Sequence, residues 1–263
     1  MPTSALHVAR TGLEAQDARM RVIANNLANI STTGFKRDRV DFATLAYQEQ
    51  RIAGQQSTGQ TAYALGLNLG TGVQVQGTSR IHTQGTLNAT GNVLDLALDG
   101  DGFFQVELPP GGAIGYTRAG NFTLSADGTL ITAQGYALQP PIQVPQGAQA
   151  LTIAPDGTVS AITPGNAEPT LLGQLSIASF VNPAGLRAIG DNFLVETAAS
   201  GPAEIGFAGE NGRGQIRQGM LEQSNVNVVE ELVEMIEAQR AYEINSKMVS
   251  AVDEMLRNAN QTL

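Results

Sequence analysis

The chain has 263 residues and a mass of 27.5 kDa, and 42 % of its residues are hydrophobic, enough for a packed core and too many for wholesale disorder. Charged residues reach only 15 % and aromatics 5 %, while Gly numbers 30, a profile of turn-rich β structure with amide-bearing surfaces. Twenty-four acidic against 15 basic residues give a net charge of −9, which repels phosphate backbones and excludes nucleic acid as a partner.

Without Cys, and with only His7 and His82, the chain has nothing from which to build disulfides, thiolate sites or a His-rich metal centre, so no metal or cofactor is expected. No window approaches the roughly 18 apolar residues of a membrane span, so no membrane insertion is expected. At the start, the apolar stretch Ala5–Ala9 is interrupted by His7 and closed by Arg10, without a preceding basic region. No cleavable signal peptide is expected.

In chain order, the first element is a helix. Leu6, Leu13, Met20 and Leu27 recur every seven residues, and Ala9, Gln16, Ile23 and Ile30 follow three behind. This seam predicts a helix ending near Asn29–Thr32, capped by Thr3 or Ser4, with Gly34 just past its end. Asn25, Asn26 and Asn29 are assigned to its outward face. Ala would suit those positions better by about 0.6 kcal/mol each. Three amides so close together point to hydrogen bonds with adjacent subunits.

Residues 47–77 are rich in Gln, Gly and Thr and poor in apolar anchors, which predicts an extended arm or long hairpin ordered by neighbours. Within it, Gln48, Gln50, Gln55, Gln56 and Gln60 supply side-chain amides. Apart from Pro2, every proline lies between Pro109 and Pro202, so helix breakers are confined to the middle of the chain. There the pattern turns to β. Asp99-Gly100, Asp101-Gly102, Asp127-Gly128 and Asp156-Gly157 are turn signals between short alternating runs, two of which, Leu124–Leu130 and Ile153–Val159, read as hairpins.

The C-terminal stretch is again helical. Val228, Met235, Tyr242, Val249 and Leu256 recur at seven, widened by Leu232, Ile236, Val252 and Met255. Asn227 and Glu230 read as a capping box. Gln239, Ser246 and Asp253 fall on the flanking heptad position, a narrow and partly polar seam that suits a multi-partner environment. Residues 1–45 carry six basic and four acidic side chains, net +2, whereas 222–263 carry three and eight, net −5. Opposite signs favour pairing of the two helices, within one chain or between copies. The fold class expected is therefore α+β, with a discontinuous coiled-coil layer from both termini and a mainly antiparallel β central domain.

No nucleophile elbow, P-loop or zinc-helix motif occurs, and Asp95, Asp99 and Asp101 lack the Glu that would complete a calcium loop. They read as turn and strand-end carboxylates.

The segments Ala24–Arg37 (ANNLANISTTGFKR), Ser224–Val233 and Gln239–Lys247 strongly resemble the terminal signatures of flagellar rod and hook proteins. Between them Ile81–Leu87, Leu94–Leu98, Gly102–Val106 and Tyr116–Arg118 are similar to that family's central β region. The length and the segment Tyr47–Ala64, with Tyr47, Gln48, Arg51, Gly54, Gln56 and Ser57, look most like the distal rod members, and the resemblance makes those six the residues of a rigidity arm. A proximal rod or hook-type subunit is the near alternative, and a secreted carbohydrate-binding module or peptidoglycan hydrolase the distant one.

The resemblance implies a structural protein without enzymatic activity, exported without signal cleavage through the flagellar type III apparatus. It implies a helical homopolymer forming the rod across the periplasm, in contact with proximal rod proteins, hook protein and the surrounding basal-body rings. Residues 1–35 and 222–263 would form the inner coiled-coil domain, 36–80 the arm region including 47–64, and 81–221 the outer β domain. The self-assembly residues would be Leu6, Leu13, Met20, Ile23, Asn25, Asn26, Leu27 and Asn29 at one end. At the other they would be Val228, Leu232, Met235, Tyr242, Val249 and Leu256.

Overall fold

The computed structural model describes residues 2–58, 61–109, 112–164 and 168–261. They divide into two compact units. One gathers the residues up to Leu27, Asp38–Ser79 and those from Asn227 onward; the other holds Ala28–Arg37 and Arg80–Val226.

In the first unit, helix α1 spans Pro2–Ala28 and helix α2 spans Val228–Gln261. Neither is long and apolar enough in the required sense to cross a membrane. Proline's fixed φ suits a first helical turn, and α1 takes in Pro2, so Thr3 and Ser4 lie inside the helix instead of capping it. Asn227 caps α2, its Oδ1 accepting the Val229 N–H at 3.1 Å, and Glu230 and Glu231 follow in the first turn.

The two helices run antiparallel. Gly12 faces Asn245, whose Nδ2 would lie 3.0 Å from a Cβ added there. Arg19 Nη2 reaches Glu234 at 3.5 Å and Glu237 at 3.7 Å, so the opposite charges of the two ends do meet within one chain. Asn26 Nδ2 donates to Glu231 Oε2 at 3.3 Å. The close seam is small and polar: Ala9, Thr11, Ala15, Ile23 and Asn26 are buried on α1, and Glu231, Ala238 and Val252 on α2. On α2 this is the row three residues behind Val228, Met235, Tyr242 and Val249. Large side chains would hold the helices apart, whereas Gly12 and the buried alanines allow close approach.

Residues 38–80 form one long hairpin of nested pairings. Asp38–Thr44 pairs with Val73–Arg80, Gln48–Arg51 with Leu67–Leu69, and Gln56–Thr58 with Thr61–Ala62. Gly72, at φ +125°, lies against Thr11 of α1, and the Val73 N–H donates to Thr11 Oγ1 at 3.4 Å. A side chain at Gly72 would collide with the helix.

The second unit is β. Its seven-stranded sheet runs Arg187–Gly190, Phe193–Val195, Ala113–Thr117, Phe103–Leu108, Ser176–Ser179 and Glu204–Phe207, with Leu138–Gln139 also on Phe103–Leu108. Its strand pairs are antiparallel. The two hairpins read from the Asp-Gly turns form as expected, with Leu124 opposite Leu130 and Ile153 opposite Val159. Gly128 and Gly157 sit at φ +77° and +87°, where a side chain would be strained. The main core packs Leu96, Leu98, Phe104, Phe122, Leu138 and Ile177, with Phe104 and Phe122 edge to face at 5.2 Å.

Truncating Phe104 to Ala should cost about 3–5 kcal/mol, because the ring is fully buried. Urea unfolding followed by the β signal of circular dichroism would measure it.

Candidate functional site: assembly surfaces and a buried ion cluster

The residues expected to direct self-assembly divide by environment. On α1, Leu6, Leu13, Met20 and Leu27 are half-buried and Asn25 is exposed; the helix ends at Ala28, just short of the expected Asn29–Thr32, and Asn29 is half-buried in the turn beyond it. Asn26 departs from its assignment to the outward face: it is 1 % exposed. It lies eleven residues, close to three whole turns, beyond Ala15, and so shares that residue's buried face. Its Nδ2 donates to Asp38 O at 2.9 Å and its Oδ1 accepts the Asp38 N–H at 3.0 Å. The amide thus holds the start of the hairpin like a paired strand residue. Asn29 accepts the Thr32 hydroxyl at 3.1 Å within the following turn.

On α2, Met235, Val249 and Leu256 are half-buried, while Val228, Leu232 and Tyr242 are exposed. Leu232 stands 44 % exposed and Ile236 50 %, beside exposed Val229 and Val233. Five apolar side chains within nine residues are left in water by this single chain.

The arm residues are also short of cover. Tyr47 is 60 % exposed, and Ile52, Leu65, Leu67 and Leu69 project from the same hairpin. Gln48 opposes Leu69, and Arg51, opposite Leu67, lays its guanidinium 4.2 Å from the centre of the Tyr63 ring. Gly54, at φ +87°, donates its N–H to Tyr63 O at 2.8 Å, and Gln56 pairs with Ala62. Gln60 and the side chain of Ser57 lie outside the described residues.

In the second unit, sequence reasoning missed a buried ion cluster. Glu222, fully buried, accepts Lys36 Nζ at 2.6 Å and Arg118 Nη1 at 3.3 Å, and the Gly85 N–H at 2.9 Å. Its own carbonyl accepts the Gly34 N–H at 2.8 Å. Lys36 also donates to Thr83 O at 2.7 Å. Burial pulls Lys36 below the usual lysine range, opposed by the Glu222 carboxylate. Beside them Asn225 Oδ1 accepts the Arg37 N–H at 2.7 Å, while its Nδ2 donates to Ile81 O at 2.9 Å and Thr83 O at 3.1 Å. Lys36, Arg118 and Asn225 all stand in segments that carry the family resemblance. Their spacing in sequence contains no hint that they converge.

Two of the carboxylates weighed as a calcium loop have structural partners. Asp95 accepts from Thr90 Oγ1 at 2.6 Å and Asn92 Nδ2 at 2.9 Å, and Asp99 takes Arg217 Nη2 at 3.0 Å. Among the described residues, no group of His, Asp and Glu side chains gathers as a metal site.

Burial first, then the positive charges of Arg80, Lys36 and Arg118, push the His82 pKa down to about 4. The unfolded chain takes up a proton near pH 6.5 that the folded chain refuses until about pH 4, so stability falls across that window on acidification. The thermal midpoint should drop less between those pH values in His82→Gln than in the unaltered protein, as calorimetry would read.

Three family models match the chain. One described as flagella basal body rod protein covers residues 6–36, and one described as flagellar hook protein FlgE/F/G D1 domain covers 97–161. One described as flagellar basal body rod FlgEFG protein C-terminal covers 217–262. The flagellar basal-body rod protein FlgG of Buchnera aphidicola subsp. Acyrthosiphon pisum is 49 % identical, over 97 % of this chain and 98 % of that protein. Its namesake in Agrobacterium fabrum is 45 % identical over 98 % and 99 %, and that of Borreliella burgdorferi 45 % identical over 97 % of both. With helices, hairpin and β unit all inside that full-length match, the chain belongs to the FlgE/F/G family of flagellar hook and basal-body rod proteins.

Proposed function

We propose that this chain is a structural subunit that polymerises with its own copies into the helical distal rod of the bacterial flagellar basal body. The rod acts as a drive shaft, passing torque outward and enclosing the export channel, and it has no turnover. On this reading the terminal helices line the inner tube, residues 81–221 form the outer wall, and the arm bridges neighbours. Proximal rod proteins adjoin the polymer at one end and hook protein at the other, with the basal-body rings around it. The subunit reaches the periplasm through the flagellar export apparatus and keeps its N-terminus.

The observation that carries this reading is the uncovered apolar surface of α2, joined to relatives that are themselves named as rod proteins. A folded monomer gains nothing from keeping Leu232 and Ile236 in water; a polymer gains by covering them. Burying a leucine is worth about 1.5–3 kcal/mol. Leu232→Ala should therefore raise the critical concentration for polymerisation about tenfold or more, and Leu232→Asp should abolish polymer while the circular dichroism of the dilute subunit is unchanged. Polymer from Leu232→Asp at the usual concentration, seen by electron microscopy, would overturn the proposal.

The arm supports rigidity. A two-stranded hairpin is marginal by itself, and docked between subunits it fixes one lattice geometry. Deleting residues 47–64 should leave export and polymerisation intact and yield curved or polymorphic rods. Straight rods of unchanged stiffness would show that the arm is a surface loop only.

A further inference from the structure

We propose that Asn211 is a covalent modification site: the Gly212 nitrogen attacks its side-chain amide, ammonia leaves, and the turn ends as a mixture of isoaspartate and aspartate.

Glu210, Asn211, Gly212 and Arg213 form a tight hairpin turn in the β unit. Asn211 and Gly212 stand at φ +49° and +79°. The Arg213 N–H donates to Glu210 O at 2.9 Å, and the Gly209 N–H donates to Gly214 O at 3.1 Å. Positive φ at both central residues is the type I′ signature, which favours Asn followed by Gly. The turn thus accounts for the dipeptide, the only Asn-Gly in the chain. Its chemistry comes with it.

Both residues are exposed, so water and hydroxide reach them. A Cβ added at Gly212 would meet nothing within 4 Å, so a ring has room to close there. Among the described residues none accepts the Gly212 N–H and none bonds the Asn211 side chain, so neither reactant has a partner to give up. Other asparagines lack this combination. Asn192, at φ +62°, precedes Phe193 and donates from Nδ2 to Thr33 O at 2.8 Å. Asn26, Asn182 and Asn225 donate to backbone carbonyls, and Asn245 lies within α2.

Hydroxide removes the Gly212 N–H proton. The nitrogen then bonds to Asn211 Cγ, the Cγ–Nδ2 bond breaks, and Nδ2 leaves as ammonia, which closes a succinimide. This outruns direct hydrolysis because nucleophile and carbonyl belong to one chain. Water opens the ring at either carbonyl. Attack at the former backbone carbonyl gives isoaspartate, with the chain running through Cγ; attack at Cγ gives aspartate. The first is favoured, because the amide nitrogen on Cα draws electrons from that carbonyl. One amide and one water yield one carboxylate and one ammonium ion, which adds a negative charge to a chain already at net −9. Isoaspartate also lengthens the backbone of the turn beside Arg213, whose buried side chain donates from Nη2 to Glu204 O at 3.3 Å on the edge strand Glu204–Phe207.

The full chain is aged in mildly alkaline buffer and mapped by peptide mass spectrometry. Isoaspartate is read with an isoaspartyl methyltransferase and S-adenosylmethionine bearing a labelled methyl group. The Asn211 peptide should gain acid several-fold faster than any other asparagine peptide, at a rate rising with hydroxide, and should take most of the label. Asn211→Gly keeps access to positive φ and lacks the amide. It should match the unaltered chain in circular dichroism and lose the label from this peptide. Asn211 reacting no faster than the other asparagines, or giving aspartate without isoaspartate, would overturn the proposal. So would label persisting in the same peptide of Asn211→Gly.

Discussion

The carboxylate of Glu222 is the interaction on which the β unit's organisation depends. Taking a carboxylate fully out of water costs several kcal/mol, and the loss is offset only if cations and N–H donors surround it. Lys36, Arg118 and the Gly85 amide supply them, each from a different part of the chain. Because a buried cation or N–H stranded without that carboxylate would be costly, their segments hold one arrangement. Asn225 extends the same logic to uncharged groups by tying the backbone at Arg37 to that at Ile81 and Thr83. Removing one member would strand the others, which is why such a cluster fixes geometry more than it adds stability.

The helical unit follows a different rule. Its internal seam is built from Gly12, alanines and the Asn26–Glu231 pair, so the two helices approach closely while burying little apolar area. Large apolar side chains such as Leu232 and Ile236 are left on the outside of α2, and the hairpin of the same unit is two-stranded among the described residues. Both features lower the stability of one chain alone and raise what is gained when other surfaces cover it. The same property thus explains the marginal packing of this unit and the assembly role proposed for it.

The sequence by itself determined the two helices, the arm between them, the Asp-Gly hairpins and the absence of helix breakers outside the centre. Each is a local property: heptad spacing, glycine's access to positive φ and proline's missing donor act within a few residues of where they are written. It also determined that the helices carry opposite charge. Only the tertiary structure decided which heptad row faces inward, because a repeat of seven marks two adjacent rows equally and the choice depends on how closely the partner helix approaches. That choice placed Ala238 inside and Leu232 outside, and turned Asn26 from a surface amide into the anchor of Asp38. The Glu222 cluster was beyond sequence for the same reason on a larger scale. Its bond to Lys36 joins residues 186 apart, and no local pattern records a contact that exists only once the sheet has brought both ends together.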